Sequence, residues 1–160
     1  METAVEHRKL IERIRTAGEG LRQAVQSVPA SRHRTAPRAG EWSVLETLVH
    51  LRNVAVMVQG LRLRRLVYET NPVFGDYDEA RYRTAAMERN PTAEQLLGMI
   101  LAEHQQIVGL LAELPAADWA RTGRHPELGE MSIQFLARRV AEHADEHAGQ
   151  IRDIDAALRK

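Results

Sequence analysis

Apolar residues recur at three- and four-residue steps over four long stretches of this chain, the spacing that lines one face of an α-helix. The first stretch runs from about Ala4 to Val28, with Leu10, Ile14, Ala17, Leu21, Val25 and Val28 on its stripe, and Pro29 stops it. The second starts at Ser43 and continues to about Tyr68, with Val44, Leu45, Leu48, Leu51, Ala55 and Val58 turned inward. Ser43 and Glu46 have the spacing of a capping box, as do Thr92 and Gln95 at the start of the third. That third stretch carries Leu97, Ile100, Leu101, His104, Ile107, Val108 and Leu111 and ends at Pro115. The fourth runs from Ser132 towards Leu158 and aligns Leu136, Val140, His143, His147, Ile151 and Ile154. No segment alternates with period two over a useful length, so strands are not expected.

Between these stretches lie three linkers. Residues 29–42 are rich in Pro, Arg, Ser and Gly; residues 69–91 hold a short helix expected to be capped at Asp76, with Glu79 three residues on; residues 115–131 contain Trp119, His125, Pro126 and Gly129. Helices of 20–25 residues are roughly 30–38 Å long. They predict an all-α four-helix bundle, with longer connections between helices 2–3 and 3–4, as a single domain over residues 1–160.

Composition narrows the chemistry. Acidic and basic residues balance at 22 each, so no nucleic-acid partner is expected. No apolar run reaches the roughly 18–20 residues of a membrane span. The N-terminus lacks the basic flank and apolar segment of a signal peptide, and a cytoplasmic protein is expected. With no cysteine in the chain, disulfides, thiolate ligands and a cysteine nucleophile are excluded together. A metal site must then use His, Asp and Glu. Only Lys9 and Lys160 among the 22 basic residues are lysine, an arginine bias that fits a GC-rich coding genome.

His143 and His147 sit four residues apart on the apolar stripe of the last helix, one above the other. Two imidazoles so placed can share a transition-metal ion, and a shared cation would offset the cost of burying them. Two partly exposed histidines at a chance spacing is the competing account. A third ligand must come from another helix. His50, at the edge of the second stripe, is the first candidate, against a boundary histidine bonded to water or a carbonyl. Glu46, one turn before it, is a candidate to orient it or accept a proton, although the capping box already explains that residue. His104 points inward among Ile100, Ile107 and Val108 and reads as a core histidine bonded to a carbonyl or carboxylate. His125 lies in a loop that can cap a site; His7 and His33 read as surface residues. Arg139, four residues before His143, can clamp a substrate carboxylate or pair with Glu142. Glu142 and Glu146 read as a solvated pair, with Glu146 also a candidate proton shuttle. Trp42 is expected to pack over the start of its helix, and Trp119 and Phe74 to lie in the core or wall a pocket.

The stretch Glu41-Trp42-Ser43-Val44-Leu45-Glu46-Thr47-Leu48-Val49-His50-Leu51 resembles the start of helix 2 in the DinB-like superfamily of four-helix metalloproteins: a Trp, a helix cap, and a His eight residues after the Trp. The second part of the resemblance is His125-x-x-x-Gly129-x-x-Ser132 followed by His143-x-x-x-His147-x-x-Gln150-Ile151. It covers nearly the whole chain in the order of its elements. The resemblance implies a metal triad at His50, His143 and His147, a divalent ion such as zinc or nickel, a small-molecule substrate and a homodimer. It also implies a metal-dependent transferase or isomerase using a low-molecular-weight thiol, mycothiol or bacillithiol, and the arginine bias favours mycothiol. A metal-dependent small-molecule hydrolase is the first alternative, and a non-enzymatic, stress-associated metal-binding bundle the second. Three imidazole ligands leave a coordination position open, which suits catalysis.

Overall fold

The computed structural model describes residues 3–160. Helix α1 spans Ala4–Gln26 and starts from a Thr3–Glu6 capping box, in which each side chain satisfies the other's free backbone N–H. Helix α2, Val44–Val54, starts from the expected Ser43–Glu46 box. It passes through a π-helical turn at Ala55–Gly60 into α3, Leu61–Tyr68. The short helix α4 is Glu79–Glu88, α5 is Ala93–Ala112 from the Thr92–Gln95 box, and α6 is Ile133–Leu158, capped by Ser132. Among the described residues no helix is long and apolar enough to cross a membrane.

Three expectations are corrected. A two-stranded antiparallel hairpin, β1 (Thr122–His125) and β2 (Gly129–Ser132), stands in the loop where no strand was expected. Its strands are four residues each, too short to show alternation, and Gly129 turns the corner at φ 87°. The short helix is capped by Asp78, whose side chain accepts from the Arg81 N–H, and not by Asp76. This frees Glu79 as the first residue of the helix. Val58 is only half-buried, because the π turn shifts the phase of the apolar stripe between α2 and α3.

Helix α1 packs against α5 and α6, and the α2–α3 rod packs against the same two helices from the other side. Around the bundle the order is therefore α1, α5, α2–α3, α6, with α1 and α2 on a diagonal. The 27–43 connection crosses the end of the bundle to reach that position. Arg32 Nη1 holds it to the buried Asp155 carboxylate of α6 at 2.9 Å.

The core has two apolar halves. One gathers Leu10, Ile14, Leu66, Trp119 and Leu136; the other gathers Leu21, Leu48, Leu96, Ile151 and Ile154. A polar layer divides them. On α5, His104 separates Ile107 in the first half from Ile100 in the second, and on α6 His143 and His147 separate Val140 from Ile151. His104 is buried and its Nδ1 has no partner, so the carbonyl or carboxylate expected for it is not there. A Cβ added at Gly18 on α1 would lie 3.6 Å from that nitrogen. His7 is another correction: it is buried and stacks on Trp119, with ring centroids 4.1 Å apart. His33 is half-buried, with its Nε2 2.9 Å from the Val28 carbonyl.

Burial pushes His104 down to about 4, while an unfolded histidine titrates near 6.5. Between these values the unfolded chain takes a proton that the native one refuses. The contribution of His104 to stability is therefore flat above pH 6.5 and falls as the pH drops towards 4. His104→Leu is expected to remove about 2.5 kcal/mol of that acid loss, measured by urea unfolding at pH 7.5 and 4.5. A second expectation concerns the hairpin. A Cβ on Gly123 would lie 2.8 Å from the Pro72 carbonyl and from Phe74. Gly123→Ala should lower stability by about 1–3 kcal/mol in the same assay.

Candidate metal centre

His50 on α2 meets His143 and His147 on α6 where the two apolar halves join. Because α2 and α6 are neighbours in the bundle, residues 93 apart in sequence face each other. His50 Nε2 and His147 Nε2 each lie 3.1 Å from His143 Nε2. One ring nitrogen from each of the three residues falls within 4.8 Å of the others.

The outer nitrogens fix the tautomers. His50 Nδ1 is 3.1 Å from Glu79 Oε1, and His147 Nδ1 is 2.6 Å from Gln150 Oε1. Carboxylate and amide oxygens only accept, so both Nδ1 atoms carry the hydrogen and both neutral rings turn a bare Nε2 inward. A single N–H on His143 cannot satisfy two such lone pairs, whereas a cation satisfies all three at once. Tetrahedral coordination with bonds of about 2.0–2.1 Å puts neighbouring nitrogens about 3.3 Å apart, close to the observed separations. The donor set fits a transition-metal ion of the zinc or nickel type.

Electrostatics favour the neutral, ligating form. Burial pushes His143 down to about 3, and the His147, His50 and Arg139 positions reinforce this. Burial also lowers His50; its hydrogen bond to Glu79 opposes this.

A ring of contacts braces His50. Glu79 and Arg83 are one turn apart on α4, with Arg83 Nε 3.7 Å from Glu79 Oε2. The Arg83 guanidinium lies 4.6 Å over the Trp42 ring, and Trp42 packs against His50 at 5.1 Å. Trp42, expected to pack over the start of its helix, thus touches the candidate ligand. Glu79 and Arg83 were not legible as site residues. Their i, i+4 spacing is visible in the sequence, but nothing there links them to a histidine 29 residues earlier.

Other candidates fall elsewhere. Glu46 Oε1 is held by the Ser43 N–H and hydroxyl at the helix cap, so Glu79 takes the place beside His50 suggested for Glu46. Arg139 Nη1 pairs with Glu142 at 2.9 Å and Glu146 at 3.3 Å, which makes both glutamates its ion-pair partners. His104 is not one of the three histidines whose ring nitrogens converge. His125 is buried in the hairpin, where its Nδ1 accepts from the Glu127 and Leu128 N–H groups and its Nε2 meets Asp76 at 3.0 Å. Trp119 and Phe74 are core residues, and Phe74 also borders a small cleft.

The fold and site define a helical bundle with a part-buried three-histidine centre. The family model of the DinB superfamily matches residues 13–151, and the chain belongs to that superfamily. A relative from Oceanobacillus iheyensis is 32% identical over 120 residues, 75% of this chain and 69% of that protein. One from Bacillus mycoides is 26% identical over 150 residues, 94% of this chain and 86% of that protein. Both carry the name "Putative metal-dependent hydrolase". YfiT from Bacillus subtilis superposes with a TM-score of 0.88 at 20% identity, over 99% of this chain and 91% of that one; it is described as "a probable metal-dependent hydrolase with an unusual four-helix bundle topology". The four-helix bundle protein TT2238 superposes with a TM-score of 0.65 at 17% identity, over 92% of this chain and 98% of that one.

Glu79→Ala should weaken zinc binding about 10–100-fold, and Glu79→Gln, which keeps an acceptor, should weaken it less. Competition with a chromophoric chelator measures both.

Proposed function

We propose that this chain is a metal-dependent enzyme acting on a small molecule, with His50, His143 and His147 as the ligands of a divalent ion. The observation that carries this is the convergence of three Nε2 atoms, two of them fixed as bare by Glu79 and Gln150. The names of the relatives support a metal-dependent reaction and, within that, hydrolysis. An ion held there supplies Lewis acidity and lowers the pKa of a water or thiol in its open position.

The chain's own residues supply the rest. Glu79 and Gln150 hold two imidazoles in the ligating tautomer. Trp42 and the Arg83 side chain over it cover one side of His50. His147 opens onto a groove of about 550 Å³ between the 37–42 segment and the last turns of α6. Trp42, Ile154 and Ala157 give that groove apolar walls, and Arg38, Glu41 and Asp153 give it charged contacts. A small ester or amide with one polar end fits this lining. Thiol transfer is the second reading: the groove's size, within the range of sites for small organic ligands, also admits mycothiol or bacillithiol.

The test is elemental analysis and turnover of untagged protein. His147→Ala should lose the ion, with metal affinity down by at least ~100-fold, and lose hydrolysis of activated esters and amides with it. Stoichiometric metal retained in that variant would refute the ligand assignment. Turnover of mycothiol or bacillithiol with an electrophile, without ester or amide hydrolysis, selects the thiol reading. A metal-dependent rise in melting temperature with neither reaction leaves a structural ion.

A further inference from the structure

A second cavity, of about 730 Å³, lies between α2, α4 and α5, and none of the three histidines lines it. Its charged lining is Arg52 and Arg89, and no Asp or Glu lines it among the described residues. Arg52 is half-buried. It donates from Nε to Asn53 Oδ1 at 2.8 Å and from Nη1 to the Met99 sulfur at 3.4 Å, and has no carboxylate partner. The Arg89 side chain makes no hydrogen bond or ion pair among the described residues, yet it is near enough to Arg52 for the two charges to repel. Two cations facing one cavity without a counter-charge form an electrostatic site for an anion. Arginines in the groove between α1 and α5 differ: Arg15 and Arg22 each pair with a glutamate three residues earlier.

Asn53 makes the second, independent observation. It is only 4% exposed, it lines the cavity, and its Nδ2 has no hydrogen-bond partner. Because Arg52 Nε donates to Oδ1, the amide orientation is set; one N–H faces the buried Tyr77 hydroxyl without a well-formed hydrogen bond, and the other is left for a ligand. A buried donor without an acceptor carries its full desolvation cost, and a ligand oxygen removes it. Beyond this polar end, Val56 and Met57 from the π turn and Leu96 and Met99 from α5 form an apolar wall.

We propose that this cavity binds an amphipathic organic oxyanion, a carboxylic acid or phosphate monoester with a hydrocarbon body. The head sits between Arg52 and Arg89 against the Asn53 amide, and the body lies along Val56, Met57, Leu96 and Met99. Guanidinium forks take carboxylates and phosphates alike. The proposal does not rest on metal ligation by the histidines.

Calorimetric titrations with sodium decanoate, decyl phosphate, decanol and sodium acetate test it. At least one of the two decyl anions should bind one-to-one and at least ten-fold tighter than either decanol or acetate, and the tighter of the two names the head group. Arg89→Ala, at an exposed position that does not threaten folding, should cut that anion's affinity about ten-fold without changing decanol binding. Asn53→Ala should weaken it further. His147→Ala should leave the affinity unchanged. Decanol binding as tightly as both anions would overturn the proposal. So would an anion affinity indifferent to Arg89→Ala or lost in His147→Ala, the last placing the anion at the triad.

Discussion

Three ring nitrogens, two of them bare, crowded at the junction of two apolar cores are the feature around which this bundle is arranged. An N–H on His143 Nε2 reaches two lone pairs 3.1 Å away and satisfies only one of them. The surrounding residues nevertheless hold them in that arrangement. Glu79 and Gln150 remove the alternative tautomers, and burial on α6 suppresses protonation of His143. The layer is costly without an occupant and well prepared for a cation.

The bracing comes from segments outside the four main helices. The α2–α5 connection returns across α2 as helix α4, whose buried hydrophobic contribution is the single residue Ala86. What α4 brings is polar: Glu79 to His50, and Arg83 to Trp42 and Glu79. The same helix, with α2 and α5, encloses the Arg52–Arg89 cavity. The 27–43 connection likewise carries Trp42 to the triad and is fastened to α6 through Arg32 and Asp155. Connections that a bundle does not need for packing thus shape both of its polar sites.

Much of the fold was legible. Periodicity located the long helices, and the Ser43–Glu46 and Thr92–Gln95 boxes marked two of their starts, because helix propensity and capping are local. The hairpin was hidden by its length, and the π turn by the absence of any local residue pattern demanding it. At the centre, His143 and His147 were visible as a pair because i, i+4 spacing is a property of one helix. His7 appeared exposed because its partner, Trp119, is distant in sequence and only packing joins them.

The amino-acid sequence by itself determined the helices, their inward faces, and the supply of imidazoles in a chain without cysteine. These follow from backbone geometry and residue chemistry acting within a few turns. Only the tertiary structure decided that α2 neighbours α6 and stands diagonal to α1, which brings His50 to His143 and His147. It also decided that Glu79, and not Glu46, holds His50, and that Arg52 and Arg89 face one cavity unneutralised. Those outcomes depend on which surfaces pack together over long sequence separations, and no local spacing encodes that choice.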